Sequence, residues 1–491
     1  MSQPSLPRQW KTLDKDLGRI GQLEQATLYV SRPMVGLGVA LAFMVIVGLT
    51  AAVFTGSGST SAIIVAAAVL GAYMAINIGA NDVANNMGPA VGANALTLGG
   101  AIVIAALCES AGALLAGGDV VSTISKGIID PAGVSDNRIF IWAMMAALTS
   151  SALWVNLATW VGAPVSTTHS VVGGVMGAGI AAAGFSAVNW SSMGAIAASW
   201  VISPVLGGVI AAVFLAFIKS RIIYQDDKLA AARRWVPVLV GVMAGAFAAY
   251  LSVKGLKKVI HIDLGTALLI GVLTGALCYA VSAPLIRRQS QGMENRNKSL
   301  KTLFSLPLVI SAALLSFAHG ANDVANAVGP LAAIVHSVEF GEFAGKVAIP
   351  SWVMIVGAFG ISFGLVLFGP KLIRMVGSQI TKLNPMRAYC VALSAAITVI
   401  VASWLGLPVS STHIAVGAVF GVGFFREWHN DKRRPRNANS NGSKLATEER
   451  RRRKLVRRSH FLTIVAAWVI TVPAAALLSA LVFLALNAVF V

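Results

Sequence analysis

Charge is what this sequence has least of. Of 491 residues only 12% are Asp, Glu, Lys or Arg, against about 25% in ordinary soluble domains. With 56% hydrophobic residues and a mean hydropathy of +0.77, that shortage excludes a disordered chain, a coiled coil and a soluble multidomain enzyme. Cysteine is scarce too. Cys108, Cys278 and Cys390 each sit in an apolar run without C-x-x-C or metal-ligand spacing. They argue against a disulfide framework or a zinc site and leave the redox compartment open. The first 33 residues lack the apolar core of a secretory signal. Their Arg8, Lys11, Lys15, Arg19 and Arg32, interleaved with acids, read as a cytoplasmic tail.

What is present in abundance is long apolar sequence. Crossing the hydrocarbon takes about 20 apolar residues as helix. Stretches of that kind lie near 34–55, 61–79, 97–117, 138–161, 164–183, 189–218, 235–253, 263–284, 303–319, 349–370, 386–405, 408–425 and 460–490. They are too long and too continuously apolar for the alternating strands of a membrane barrel. The expected fold is an all-α integral membrane protein with about 12 transmembrane helices plus re-entrant or broken helices. Trp142, Trp160, Trp352 and Trp404 fall near span ends, as interface anchors do.

Acidic residues are few, 19 against 38 basic, leaving +19. The excess concentrates in connections at 219–234, 285–301 and 426–459. The last holds 13 basic and 4 acidic residues around an Asn/Ser/Gly centre, hence +9 of the +19. Such loops read as cytoplasmic and near anionic lipid rather than as nucleic-acid arms.

Two polar blocks occur twice. Gly79-Ala80-Asn81-Asp82-Val83-Ala84-Asn85 followed by Gly88-Pro89 returns as Gly320-Ala321-Asn322-Asp323-Val324-Ala325-Asn326 followed by Gly329-Pro330. Pro164-Val165-Ser166-Thr167-Thr168-His169 returns as Pro408-Val409-Ser410-Ser411-Thr412-His413. The offsets are 323 − 82 = 241 and 413 − 169 = 244; a third echo, Trp200-Val201-Ile202-Ser203 against Trp468-Val469-Ile470-Thr471, has 468 − 200 = 268. The chain is internally duplicated. It divides into the tail 1–33, a first repeat region 34–218, an insertion 219–302 with two extra helices, and a second repeat region 303–491. With the basic loops and 371–387 inside, Asp82 and Pro164 approach from the cytoplasm and Asp323 and Pro408 from outside, so the repeats are inverted. Lys254, Lys257 and Lys258 conflict with that count.

Ionisable residues at membrane depth cost about 2.5–3.5 kcal/mol each on insertion scales and mark function. Asp82 and Asp323, with Asn81, Asn85, Asn322 and Asn326, offer hard oxygen ligands for a cation such as Na+ beside helix-breaking Gly and Pro. Glu109, inside an apolar run, either joins that set or pairs within the bundle. The helix starts after Pro164 and Pro408 present Ser166, Thr167, Thr168, Ser410, Ser411 and Thr412, suited to an oxyanion by hydroxyls, free N–H groups and helix dipole. Plain N-capping by Ser166 and Ser410 would give the same first turn. His169 and His413 suit a structural role better than a ligand or proton relay.

These paired blocks, with Glu109 and Lys126-Gly127-Ile128-Ile129-Asp130, resemble the signatures of the inorganic phosphate transporter (PiT) family. The resemblance runs from about 60 to 490, outside the spans near 235–284 and the basic loop. It implies an inverted-repeat secondary transporter in the cell membrane that imports inorganic phosphate with Na+ or H+ by alternating access. It implies no cofactor and no enzymatic activity, with Asp82 and Asp323 at the ions and substrate and the Ser/Thr hydroxyls on the anion. A homodimer stays open. Proton-coupled bacterial members often have His where Asn81 stands, which favours Na+. Many Na+-coupled members have Glu where Ala392 stands, which does not. Some members carry sulfate, and an uncoupled anion channel is the rival of a different class.

Overall fold

The computed structural model describes residues 34–490 except 57, 59, 130–135, 162–164, 256–261, 342–348, 380–382 and 434–457. Side chains are also left aside at 374–379, 430–433, 458–465 and 467–468. The tail 1–33, Asp130, Pro164, Lys257, Lys258 and most of the basic loop 426–459 lie outside the described residues.

Fifteen helices follow in order among the described residues. They are α1 (Met34–Thr55), α2 (Ser61–Gly92), α3 (Leu98–Ala116), α4 (Gly118–Lys126), α5 (Asn137–Val161), α6 (Thr167–Ala183), α7 (Trp190–Ile218) and α8 (Lys228–Lys254). After these come α9 (Leu264–Gln289), α10 (Asn297–Leu303), α11 (Ser305–Phe340), α12 (Ser351–Gln379), α13 (Pro385–Trp404), α14 (Ser411–Arg433) and α15 (Arg458–Phe490). Their starts follow local chemistry. The side chains of Asn189, Asp227 and Asp263 each accept a first-turn N–H of α7, α8 and α9, and Asn384 caps α13 with Pro385 in the first turn.

Eleven of these helices are long and apolar enough to cross a membrane. Two stretches expected as crossings are not among them, and both begin at the Pro-Val-Ser blocks. α6 has only 17 residues, and the apolar part of α14 stops at Phe425, before Arg426 and Glu427. Each is shorter than the bilayer requires. Each is instead the return leg of a hairpin, α5–α6 and α13–α14.

The duplication is visible in how backbones touch. A Cβ added at Gly79 would meet the Ile361 carbonyl, and one at Gly364 the Ile76 carbonyl, so α2 packs directly on α12. In the other half Gly320 meets Glu109 and Gly112 meets Phe317, packing α11 on α3. The spacing holds: 320 − 79 and 317 − 76 are 241, while 361 − 109 and 364 − 112 are 252. Likewise Gly173 and Gly177 of α6 meet Val472 and Ala476 of α15, as Gly417 and Gly421 of α14 meet Pro204 and Gly208 of α7. The offsets there are 417 − 173 = 244 and 472 − 204 = 268, those of the sequence echoes. In a bilayer, where apolar side chains gain little by leaving lipid, small residues that let backbones touch are what hold helices together.

α7 shows how the hairpins are set. Its 29 residues span about 44 Å at 1.5 Å per residue. Its first residue, Trp190, follows closely on the end of α6 at Ala183. Its far end, at Leu215 and Lys219, shares a pocket with Asn384 and Arg387 at the start of α13 and with Arg426 of α14. The two hairpins therefore open at opposite ends of α7 and point their tips at each other.

The Asn-Asp blocks depart from expectation. Both lie inside uninterrupted helices, α2 of 32 residues and α11 of 36, with Pro89 and Pro330 within them. The block glycines do not break these helices, because they are used for the close contacts with α12 and α3. The prolines still matter: each lacks the N–H that the carbonyl four residues earlier, on Asn85 or Asn326, would otherwise receive. Lys254, one of the residues that conflict with the charge count, has its ammonium paired with Asp119 at the start of α4.

Candidate functional site

α2 and α11 bring Asp82 and Asp323 together in the protein interior, each 1% exposed. The N-termini of α6 and α14 arrive from opposite directions above them. Thr167 donates to Asp82 Oδ2 at 2.9 Å, and Ser411, its repeat counterpart, lies 3.5 Å from Asp323 Oδ2. The asparagines cross between halves: Asn85 donates to Thr412 at 2.8 Å and Asn326 to Thr168 at 3.1 Å. Thr412 in turn donates to Asp82 Oδ1 at 3.0 Å, whereas Thr168 donates to the Val409 carbonyl. The tips also touch through rings, with His169 and His413 4.4 Å apart edge to face and His169 3.9 Å from Trp200.

The centre of the acidic cluster is a residue that the motifs did not single out. His319 Nε2 lies 3.1 Å from Asp323 Oδ2 and 3.9 Å from Asp82 Oδ2, and its Nδ1 lies 3.2 Å from Glu109 Oε1. Asp82, His319 and Asp323 could all ligate one ion, their ligand atoms lying within 4.8 Å of one another. Glu109 Oε1 also accepts from Asn86 at 2.9 Å. Three carboxylates and an imidazole thus share one buried volume, an arrangement that burial alone strongly disfavours.

Here the two halves differ. Under the offsets 241 and 252, His319 corresponds to Ile78, Asn86 to Ala327 and Glu109 to Ile361. Every polar member of the satellite on one side has an apolar counterpart on the other. Several oxygens around the cluster have no donor among the described residues: Asp323 Oδ1, Glu109 Oε2, Asn86 Oδ1 and Asn326 Oδ1. Buried acceptors of this kind are costly unless something positive meets them.

The expected site residues divide into two groups. Asp82, Asp323, Glu109, Asn85, Asn326, Thr167, Thr168, Ser411 and Thr412 converge as described. Ser166 and Ser410 serve as N-caps, accepting from His169 N at 3.1 Å and His413 N at 3.3 Å. Asn322, expected among the cation ligands, is engaged elsewhere: it donates to Ser403 and the Leu407 carbonyl and accepts from Val409 N. Asn81 does the same work in the first half. With its amide turned to suit its neighbours it accepts from Thr159 and donates to the Val165 carbonyl and to Asp82. Both anchor hairpin turns, because a backbone bend without helical bonds needs side-chain partners. Lys126 ends α4, whose Thr123 donates to the Gly406 carbonyl and so steadies the second tip.

Sequence comparison matches a phosphate transporter family over residues 78–479. The chain belongs to that phosphate transporter family. Among its relatives, a candidate phosphate permease of Helicobacter pylori (strain J99) is 45% identical, covering 96% of this chain and 99% of that one. One from Pyrococcus abyssi (strain GE5) is 36% identical, covering 84% of this chain and 96% of its own. A solved structure described as the sodium-dependent phosphate transporter superposes with a TM-score of 0.79 at 34% identity, covering 87% of this chain and all of that one. Family and structural neighbour are transporters and not enzymes, and the chain is a multi-pass membrane protein.

Proposed function

We propose that this member of the phosphate transporter family imports inorganic phosphate together with a cation, Na+ in preference to H+, by alternating access. The observation that carries the reading is the meeting of two inverted helix N-termini over a buried, oxygen-rich acidic cluster. Phosphate at neutral pH carries one to two negative charges and needs donors. The N–H groups of Thr167, Thr168, Ser411 and Thr412 have no acceptor within their own helices, and both dipoles point into the same space. The carboxylates below would repel the anion. A cation on Asp82, Asp323 and the unpartnered oxygens cancels that repulsion, and hard oxygen donors suit Na+.

The hydrogen bonds suggest how the two bindings are linked. Thr167 and Thr412 rest their hydroxyls on the two oxygens of Asp82. A cation that takes over those oxygens releases both hydroxyls toward phosphate. Cation first, anion second is the expected order, and each tightens the other. The sodium dependence named for the structural neighbour supports Na+ as the ion.

The test is uptake of ³²P-phosphate by proteoliposomes under separately imposed Na+ and proton gradients, with sulfate as competitor. Accumulation driven by inward Na+ and indifferent to sulfate is expected. Accumulation driven only by protons would replace the ion, sulfate competition would make this a sulfate permease, and flux that never exceeds equilibrium would make it a channel.

A further inference from the structure

A pocket lies at the basic end of the molecule, away from the acidic cluster. It has a volume of about 210 Å³ and lies where the end of α7, α10, the start of α13 and α14 come together. Four cationic side chains line it: Lys219, Lys301, Arg387 and Arg426. Asn384 and Tyr224 are among the others, and among the described residues no Asp or Glu lines it. Glu427, next to Arg426 in the chain, is not part of the lining.

The two arginines are partly buried, and Arg387 feels Arg426 as a like charge. They belong to different legs of one hairpin, Arg387 to α13 and Arg426 to α14. Like charges held together in a half-buried setting disfavour the closed hairpin unless an anion sits between them. Guanidinium forks match the oxygens of a tetrahedral oxyanion better than any other side chain does. The cap and first turn of α13, at Asn384 and Met386, add their dipole to the same pocket.

We propose that this pocket is a binding site for a phosphate-class anion, either free phosphate or the phosphomonoester headgroup of an anionic lipid, that clamps the open end of the α13–α14 hairpin. From Arg387 to Trp404 is about 25 Å of helix, so the clamp acts at a distance on the tip bearing Ser411 and Thr412. The positive-inside rule puts this end in the cytoplasm, where both anions occur. The site stands whether or not the chain moves phosphate.

The full-length protein tests it. Phosphate binding is measured by equilibrium dialysis with ³²P-phosphate on wild type, on the double variant Arg387→Gln with Arg426→Gln, and on Lys301→Gln, whose exposed side chain is dispensable for packing. The same three proteins go into nanodiscs of phosphatidylcholine with and without 10% phosphatidic acid, and the co-purifying lipid is counted. A double variant with Arg287→Gln and Arg288→Gln, both exposed, removes equal charge from the same face without touching the pocket. Loss of one class of phosphate sites in the pocket variants, with at least tenfold weaker binding, identifies free phosphate. Unchanged phosphate binding with lost enrichment of phosphatidic acid identifies the headgroup. Lys301→Gln should shift the same measurement several-fold if the double variant does not fold. If the pocket variants match wild type in both measurements, or match the Arg287/Arg288 control, there is no such site.

Discussion

His319 is the side chain on which the acidic cluster turns. It stands between Glu109 and Asp323 with Asp82 alongside, all four at most 1% exposed. Removing one partner from a buried charged group leaves the others uncompensated, at a cost of about 3–5 kcal/mol. His319→Ala is expected to lower the melting temperature of the purified protein and abolish coupled uptake, while Ile78→Ala, at the corresponding position, spares uptake. Equal losses from both would deny the asymmetry any meaning. The threonines make a finer prediction. Thr168 donates to a carbonyl and Thr412 to Asp82. Thr168→Val loses the bond that ties the start of α6 to the Val409 carbonyl beside α14, about 1–1.5 kcal/mol, and should raise the apparent KM for phosphate about tenfold by loosening the facing tips. Thr412→Val should shift the Na+ dependence as well. Uptake measured over a grid of both concentrations separates these outcomes. Recurrence in the sequence does not mark His319: Ile78 stands at the matching position, so the histidine occurs in one copy. Its place four residues before Asp323, on the same helix face, was the clue available.

At the level of helices, contact between backbones sets the tolerances. A Cβ at Gly79 or Gly320 would strike the backbone of Ile361 or Glu109. Overpacking of that kind costs about 1–3 kcal/mol, and here it also displaces the helix carrying Glu109. Gly320→Ala should reduce both stability and uptake, and Gly194→Ala, with open space around it, should do neither. Thermal melts with uptake on the same preparations check this. The sequence showed these helices as apolar runs and marked the blocks, but placed breaks where there are none. Glycine and proline next to polar residues read as a helix end. Only the packed structure shows that the glycines instead buy closeness to α12 and α3. The short hairpin legs α6 and α14 look like full crossings in sequence for a related reason: hydropathy counts apolar residues and is blind to where a helix meets its partner.

For the whole molecule, the duplicated plan was legible from two offsets, and the contacts at Gly79, Gly173, Gly320 and Gly417 reproduce them. The orientation in the membrane is a matter of counting charges and is open to direct test. Ser220 lies at the basic end of α7 and Ser191 at the other, both exposed. In a cysteine-free background, Ser220→Cys should react with an impermeant thiol reagent only from inside, and Ser191→Cys only from outside. The reverse pattern would turn the carrier over, and labelling of both from one side would contradict the inverted hairpins.

Under the alternating access proposed above, the one-sided satellite of Asn86, Glu109 and His319 biases the carrier at rest. In a protein of two identical inverted halves, the state open to one side is the other state with the halves exchanged, and the two are equal in energy. Ile78, Ala327 and Ile361 in place of the polar trio remove that degeneracy. The unloaded carrier is then expected to favour one opening, so that import and export from the same solutions run at different speeds. Comparing Ser220→Cys and Ser191→Cys cannot read this, because both lie at the surface. A cysteine at Val165, beside the tips, can: its labelling from the two sides should be unequal in wild type and more nearly even when Glu109 and His319 are both made neutral and apolar.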